Sequence, residues 1–355
     1  MKLGKKVFVG LSGGVDSSVS AALLKEQGYD VTGVFIKVWS PEFLECTWKE
    51  DRRDAMRVCA ELDIPFETLD LEAEYKKEVV DYMIAEYTAG RTPNPDVMCN
   101  RYVKFGGFLR YALSRGADYI ATGHYAQNIF NPQKATYELW AGADKNKDQS
   151  YFLWTLTQKD LEHVLFPVGH LEKPQVRALA EKFGLPTATK RDSQGLCFLG
   201  QLDIKEFLEH FVPQRAGKVF DQKGQVIGAH DGALFYTLGQ RHGFEVSGGI
   251  PLYILAKDVT ANTLTVGETP AELSAGDSFA LSRVNWIAEA PVGTRAYLAR
   301  SRYRESLFTC HIESRKDEVL VTLDSGMAAI PPGQSFVAYE KRGEGLVCIG
   351  GGVII

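Results

Sequence analysis

Hydrophobic and polar positions change their period along this chain, and the change divides it. From residue 1 to about 200, short apolar runs alternate with longer stretches of helical period. The reading gives a strand from Lys6 to Leu11, a helix from Ser17, a strand from Val31 to Lys37, a helix over about Asp51 to Leu62, a strand from Phe66 to Leu71 and a helix over about Glu74 to Ala89. A helix near Val103 to Arg115 and a strand from Tyr119 to Thr122 continue the series. Such alternation predicts an α/β fold, a parallel sheet covered by helices on both faces, because parallel neighbours need a long crossover between them. Ligands on such sheets lie beyond the carboxyl ends of the strands, where Leu11 to Ser17 and Thr122-Gly123-His124 both fall.

After a helix over about Ile204 to His210, the apolar runs shorten and are broken by Gly, Pro, Asp and Asn. Lys218 to Ile227, with Gln222-Lys223-Gly224 at its centre, reads as a hairpin, and Tyr253 to Val266, with Thr260-Ala261-Asn262, as a second. From about 276 onward, runs at Arg295 to Ala299, Leu307 to Ile312, Val319 to Leu323 and Ser335 to Tyr339 predict a small antiparallel β-barrel. The expected division is an α/β domain over 1–200, a small β-rich domain over 201–275 and a C-terminal barrel over 276–355.

Composition narrows the class. The 355 residues exceed one ordinary domain, and 45% hydrophobic with 24% charged residues is the balance of a globular protein. No apolar run approaches the roughly 18 residues of a membrane span, and Met1 to Lys6 leads into the first strand without a secretory pattern, so a cytoplasmic protein with no membrane partner is expected. The six cysteines, at 46, 59, 99, 197, 310 and 348, show no CxxC or Cys/His ligand spacing, which argues against a zinc ribbon and a secreted disulfide framework. A net charge of -5 gives no whole-molecule attraction for nucleic acid; such a partner must meet local basic patches.

The first strand runs through Val7-Phe8-Val9-Gly10-Leu11 into Ser12-Gly13-Gly14-Val15-Asp16-Ser17-Ser18. Glycines let the backbone approach a ligand, and the unpaired N–H groups opening the helix face an anion. No Lys stands where a Walker A loop needs one. The segment resembles instead the SGGxDS loop of the ATP pyrophosphatases (PP-loop proteins), which cleave ATP between the α and β phosphates and attach AMP to an oxygen that a nucleophile then displaces. By that resemblance Asp16 would let Mg2+ bridge carboxylate and pyrophosphate.

Two further segments carry thiols. Gly90-Arg91-Thr92-Pro93-Asn94-Pro95-Asp96-Val97-Met98-Cys99-Asn100 reads as a rigid Pro-rich loop with a carboxylate three positions before a cysteine. Arg191-Asp192-Ser193-Gln194-Gly195-Leu196-Cys197-Phe198 places another cysteine after a polar loop. Two thiols on loops of a nucleotide-activating domain suggest sulfur chemistry, with Lys190, Arg191 or Arg101 available to favour a thiolate. Asp96 reads equally as a proton shuttle or as a cap for Asn100 or the following helix, and His124 as a lining of the nucleotide site or as a structural histidine.

With ATGHYA at 121–126, DKNKDQSYFL at 144–153, FPVGHLEKPQVR at 166–177, DSQGLCF at 192–198, YTLGQRHG at 236–243 and SRYR at 301–304, the chain resembles the tRNA-specific 2-thiouridylases over essentially its whole length. That resemblance implies that ATP contacts Gly10, Leu11, Ser12, Gly13, Gly14, Val15, Asp16, Ser17, Ile36 and Gly123. It implies that Asn94, Pro95 and Asp96 meet the target base, and that Lys147, Asp148, Gln149, Arg302 and Tyr303 touch tRNA. Cys99 is then the nucleophile and Cys197 the persulfide carrier, with ATP and Mg2+ as cofactors and a persulfide sulfur-donor protein as a second partner. Independently, Arg283, Arg295, Arg300, Arg302 and Arg304, with only Glu289 opposing them in that interval, interleave with Trp286, Tyr297 and Tyr303, which suits phosphate contact and stacking or a solvated barrel face. The competing readings are an amidating ATP pyrophosphatase with both cysteines merely packed, and an RNA-binding module that senses nucleotide without making a bond.

Overall fold

The computed structural model describes residues 4–43, 48–191, 204–246, 251–268, 278–315, 318–324 and 330–355. Strand β1 (Lys6–Gly10) runs into helix α1 (Val15–Glu26), followed by β2 (Asp30–Lys37), α2 (Trp48–Glu61) and β3 (Phe66–Asp70). Strands β4 (Tyr119–Ala121), β5 (Ala126–Asn131), β6 (Thr136–Ala141) and β7 (Val164–Leu165) come later. Five of these form one parallel sheet in the order β3-β2-β1-β4-β7. The order reverses at β1, whose neighbours are β2 on one side and β4 on the other, so the crevice beyond its carboxyl end is the expected ligand position.

The sheet is held because its central strand feeds two cores. Val7 and Val9 pack with Leu11, Val15 and Val19 on the α1 side, while Phe8 points to the opposite face with Tyr75, Phe108 and Ile120. This is the period-two geometry of a strand buried on both faces. Each such side chain withdrawn from water contributes about 1.5–3 kcal/mol.

Helical residues on the second face contain two wide turns. Glu72–Tyr75 continues through a π-helical stretch Lys76–Asp81 into Tyr82–Thr88, and Pro95–Met98 continues through π-helical Cys99–Phe108 into Leu109–Ser114. The expected rigid loop over 90–100 is therefore helical from Pro95, and Cys99 lies within a helix. The physical reason is local: the Asn94 side chain accepts the Val97 N–H at 3.3 Å, and Pro95 supplies a fixed φ at the first helical position.

Strands β8 (Gly217–Phe220), β9 (Val226–His230), β10 (Glu245–Val246), β11 (Tyr253–Asp258) and β12 (Thr263–Gly267) form a second sheet, ordered β10-β9-β8-β12-β11. It contains both expected hairpins, β8–β9 and β11–β12. Strands β13 (Ser278–Trp286), β14 (Ala296–Arg300), β15 (Phe308–Ser314), β16 (Val319–Leu323), β17 (Ser335–Arg342) and β18 (Gly345–Ile354) close into an antiparallel barrel through the β13–β18 pairing. The hairpin β5–β6, which the hydrophobic pattern did not single out, joins this sheet: Val347 and Cys348 of β18 pair with Trp140 and Leu139 of β6. One apolar core runs from Phe8 and Phe108 through Leu139 and Tyr151 to Ile254, Tyr339 and Val353, tying the three regions together. Among the described residues, no helix is long and apolar enough to cross a membrane.

Candidate active site

The segment after β1 forms the tight turn its glycines allow. Gly13 has φ +74, and a Cβ there would collide with the Asp51 backbone carbonyl. Only glycine meets both conditions without strain. Gly14 caps α1 from an extended conformation without a side-chain cap, leaving the first-turn amides available to an anion. Ser12 and Ser17 brace the turn. The Ser17 hydroxyl donates to the Gly14 carbonyl at 3.1 Å and accepts the Ser12 N–H at 3.2 Å, and the Gly14 N–H donates to Ser12 Oγ at 3.3 Å. Gly123 closes the site from β4: a Cβ there would lie 2.7 Å from Ser17 N. Ile36 flanks Gly10, its Cδ1 standing 3.8 Å from where a Gly10 Cβ would be. The residues expected around ATP, Gly10 to Ser17, Ile36 and Gly123, thus share one crevice at the switch point of the sheet.

Asp16 opens toward that crevice but is engaged. Lys173 Nζ lies 2.7 Å and 2.9 Å from its two carboxylate oxygens, and the Tyr125 hydroxyl donates to it at 2.7 Å. Neither Lys173 nor Tyr125 was among the expected site residues. Lys173 lies in the FPVGHLEKPQVR segment, and the available signal was a basic residue opening a helix after Glu172. A cradle that a Cβ would fill and a helix start rich in free amides fit a nucleotide phosphate chain. Asp16 offers magnesium a protein carboxylate here, which fits an ion completed by phosphate oxygens and water. Among the described residues no cluster of three His, Cys, Asp or Glu side chains could hold a metal alone.

The surroundings of His124 fit its structural reading. It is buried, its Nδ1 lies 2.8 Å from Thr122 Oγ1, and Phe105 and Phe166 pack against it. Burial, aided by Lys104, pushes its pKa well below the usual histidine value.

Cys99 is 3% exposed and begins the π-helical stretch whose far end, Phe108, packs under Gly10. π-helical turns recur at functional sites. The side chain that caps this helix is that of Asn94; Asp96 occupies its first turn. Asn100 donates to the Phe152 carbonyl at 3.3 Å while its own Oδ1 is buried with no partner among the described residues. Cys197 and Arg191's continuation through 192–203 lie outside the described residues. The root of that segment is fixed beside the nucleotide turn: Arg177 donates to the Ala188 and Lys190 carbonyls at 2.8 Å and 2.9 Å, and Lys190 pairs with Asp51 and Asp54 at 2.8 Å and 2.7 Å. Lys190 is thereby engaged by carboxylates, and Arg101 rests 5.1 Å over the Tyr102 ring. The thiol of Cys197, which these cations were expected to favour as thiolate, lies outside the described residues.

The residues expected to touch RNA converge in part. Asn94 neighbours the Tyr151 hydroxyl, and Tyr303 packs on Phe152 and Tyr151 at ring distances of 4.6 Å and 6.3 Å. Arg302 is exposed beside them, one guanidinium nitrogen 3.3 Å from the Leu238 carbonyl. Lys147 ends a turn organised by Asp144. Asp148 and Gln149 face inward: Asp148 accepts the Gly142 and Ser150 N–H groups at 3.0 Å each, and Gln149 accepts the Tyr125 N–H at 3.0 Å. The basic stripe on the barrel needs correction as well. Arg300 is taken by Asp148 at 3.6 Å, Arg295 by Glu340, and Tyr297 is buried with its hydroxyl accepting the Val292 N–H. Residues distant in sequence, Glu340 on β17 and Asp148 in the loop after β6, supply those carboxylates, which a count within the interval cannot see.

A braced glycine-serine turn at the switch point of a parallel sheet, with β-rich modules behind it, defines a PP-loop-type α/β protein. Three family models match it in series: tRNA methyl transferase HUP domain over 5–201, tRNA methyl transferase PRC-barrel domain over 205–268 and aminomethyltransferase beta-barrel domain over 276–354. The tRNA-specific 2-thiouridylase MnmA of Streptococcus sanguinis is 45% identical over 358 residues, covering 98% of this chain and 95% of the relative. MnmA 2 of Geobacillus kaustophilus is 46% identical over 355 residues, covering 98% and 94%. The chain belongs to the tRNA-specific 2-thiouridylase family and is a sulfurtransferase of that class. Solved structures are more distant. A 4-thiouridine synthetase–RNA complex with bound ATP is 19% identical with TM-score 0.35, covering 59% of this chain and 50% of that one. The U34-tRNA thiolase NcsA of Methanococcus maripaludis is 20% identical with TM-score 0.36, covering 60% and 68%.

Proposed function

We propose that this protein carries out ATP-dependent 2-thiolation of the wobble uridine of tRNA, in the cytoplasm, through its three regions over 1–200, 201–275 and 276–355. The observation that carries the reading is the juxtaposition of a phosphate cradle after β1 with a helix whose π-helical stretch begins at Cys99 and packs Phe108, at its far end, against Gly10. Gly10 to Ser17, Ile36 and Gly123 would bind ATP, with Asp16 sharing Mg2+ with its phosphates. The nucleotide supplies activation: oxygen on carbon 2 of uracil is a poor leaving group, and adenylation makes it leave as AMP after pyrophosphate is released. Asn94, Pro95 and Asp96 would hold the splayed-out base, with Asp96 moving a proton, while Lys147, Arg302 and Tyr303 would meet the RNA and the inward-facing Asp148 and Gln149 would fix the turn that presents Lys147.

Sulfur would arrive as a persulfide on Cys197, loaded by a donor protein. Attack of the terminal sulfur on carbon 2 expels AMP. Cys99 then attacks the Cys197 sulfur, breaking the S–S bond, leaving sulfur on the base and forming a Cys99–Cys197 disulfide; in the variant order, Cys99 first releases the sulfur as sulfide, which attacks. Either way the disulfide takes two electrons from a cellular thiol reductant before the next turnover.

The test incubates the full chain with Mg-ATP, tRNA and a protein-persulfide donor, then measures wobble nucleosides by mass spectrometry alongside AMP and pyrophosphate. Thiouridine with matching AMP and pyrophosphate is expected, and Cys197→Ser should abolish thiolation while ATP binding persists. A methylated base would favour the chemistry that the family models' descriptions suggest, and an amidated base a ligase. RNA binding without pyrophosphate release would leave only a nucleotide-sensing module. Full thiolation by Cys197→Ser would remove Cys197 from the sulfur path.

A further inference from the structure

Where the α/β domain meets the barrel, a groove of about 470 Å³ is lined by Glu78, Tyr82, Arg101, Tyr102, Arg283 and Val284. Its two guanidinium groups come from different regions. Arg101 lies two residues beyond Cys99, about half a turn around the helix, and Arg283 lies on β13. Each rests on a tyrosine face, Arg101 5.1 Å over Tyr102 and Arg283 5.0 Å over Tyr82. Among the described residues neither has a carboxylate partner, whereas Arg91, Arg295, Arg300 and Arg342 pair with Glu86, Glu340, Asp148 and Glu138. Glu78, the acid on the groove wall, sits 3.2 Å from Lys77.

Two further features point the same way. The Tyr82 hydroxyl is buried with no hydrogen-bond partner among the described residues, an expensive arrangement unless a ligand meets it. Burial, with Glu86 beside it, pushes its pKa up to about 12, so it keeps its proton as a donor. Arg283 has φ +49 within a β-bulge between Ser282 and Asn285. A non-glycine side chain held at positive φ is strained, and bulges serve to re-aim side chains. Here the strained position carries an unneutralised cation across the junction onto the Tyr82 ring.

We propose that this groove is a phosphate site for the RNA substrate, in which Arg101 and Arg283 converge on one phosphodiester and the Tyr82 hydroxyl donates to it. The inference rests on tRNA being the substrate, and it adds a grip on the backbone apart from the base-holding turn at Asn94 to Asp96. Because the cations belong to different regions, a bound phosphate would also hold the barrel against the Cys99 helix.

The test measures tRNA binding to the full chain across about 50 to 300 mM salt, with ATP binding and thermal unfolding as controls for folding. Arg101→Gln and Arg283→Gln should each weaken binding about three- to tenfold at the lowest salt and lower the slope of log Kd against log salt, and the two together should reduce that slope by about 0.7–0.9, the release of counterions from one phosphate. Arg283→Lys should restore the slope, and Tyr82→Phe should weaken binding without altering it. Unchanged affinity and slope in both Gln variants, with wild type binding tRNA normally, overturns the groove alone. Saturable binding of inorganic phosphate that is lost in Arg283→Gln while tRNA binding persists would show a free-anion site and overturn the RNA assignment. No tRNA binding by wild type overturns the substrate reading and this inference with it.

Discussion

At Asp16 a single carboxylate is met by an ammonium and a phenol, Lys173 and Tyr125, in the mouth of the phosphate cradle. Asp16→Ala removes the carboxylate proposed to share Mg2+ with ATP and breaks the ion pair with the mostly buried Lys173. Pyrophosphate release should fall about 100-fold or more, on the scale of a lost charge-stabilising group, with tRNA affinity nearly unchanged. An equal loss of both in parallel titrations would assign Asp16 to folding. His124 supports a pH prediction. Its folded pKa lies below the unfolded value of about 6.5, so below that pH the unfolded chain binds a proton that the folded chain refuses. Stability should therefore fall as pH drops below about 6.5, until pH reaches the folded pKa, with one proton contributing up to about 1.4 kcal/mol per pH unit. His124→Asn should flatten the slope of unfolding free energy between pH 6.5 and 5; an unaltered slope would place the acid sensitivity elsewhere.

At the scale of elements, the parallel sheet and both middle-domain hairpins were legible because their signals are local: apolar runs of strand length, helical period and turn residues. Ser12 to Ser17 was legible for the same reason. What escaped was set by partners far away in sequence. The hairpin β5–β6 gains its stability from β18, more than 200 residues on, and Asp148 looks like a surface acid until Arg300 is brought to it. The helical start at Pro95 was in principle readable, since Asn followed by Pro is a cap-and-first-turn pair, but two prolines and a glycine outweighed it. Asn94→Ala tests that cap. Loss of the bond to Val97 should cost about 1 kcal/mol of stability and lower thiolation more than ATP binding, because the helix it starts carries Cys99. Full activity at unchanged stability would mean that Pro95 alone fixes the helix start.

Across the whole molecule, the turn preceding Cys99 is where all three regions touch. Thr92 donates its N–H to the Pro332 carbonyl at 2.8 Å, accepts from the Gln334 side chain at 3.0 Å and places its hydroxyl 3.2 Å from that of Thr237. Tyr151, fully buried beneath this turn, sets its hydroxyl 3.0 Å from the Ser301 carbonyl and 2.9 Å from that of Ser335, so one side chain of the α/β region registers two barrel segments. Burial pushes its pKa upward and keeps it a neutral donor. The next residues after Ser301 are Arg302 and Tyr303, so this hydroxyl links the turn before Cys99 to the barrel pair proposed to meet RNA. Tyr151→Phe leaves the ring in place and two buried carbonyls short of a donor, a change of about 1–3 kcal/mol that should appear as a lower unfolding midpoint. If the barrel holds tRNA in register with Cys99 through this bond, KM for tRNA should rise while KM for ATP stays constant. A matching rise in both would mean that the substitution loosens the nucleotide site as well, and an unchanged KM for tRNA would show that barrel placement does not depend on Tyr151.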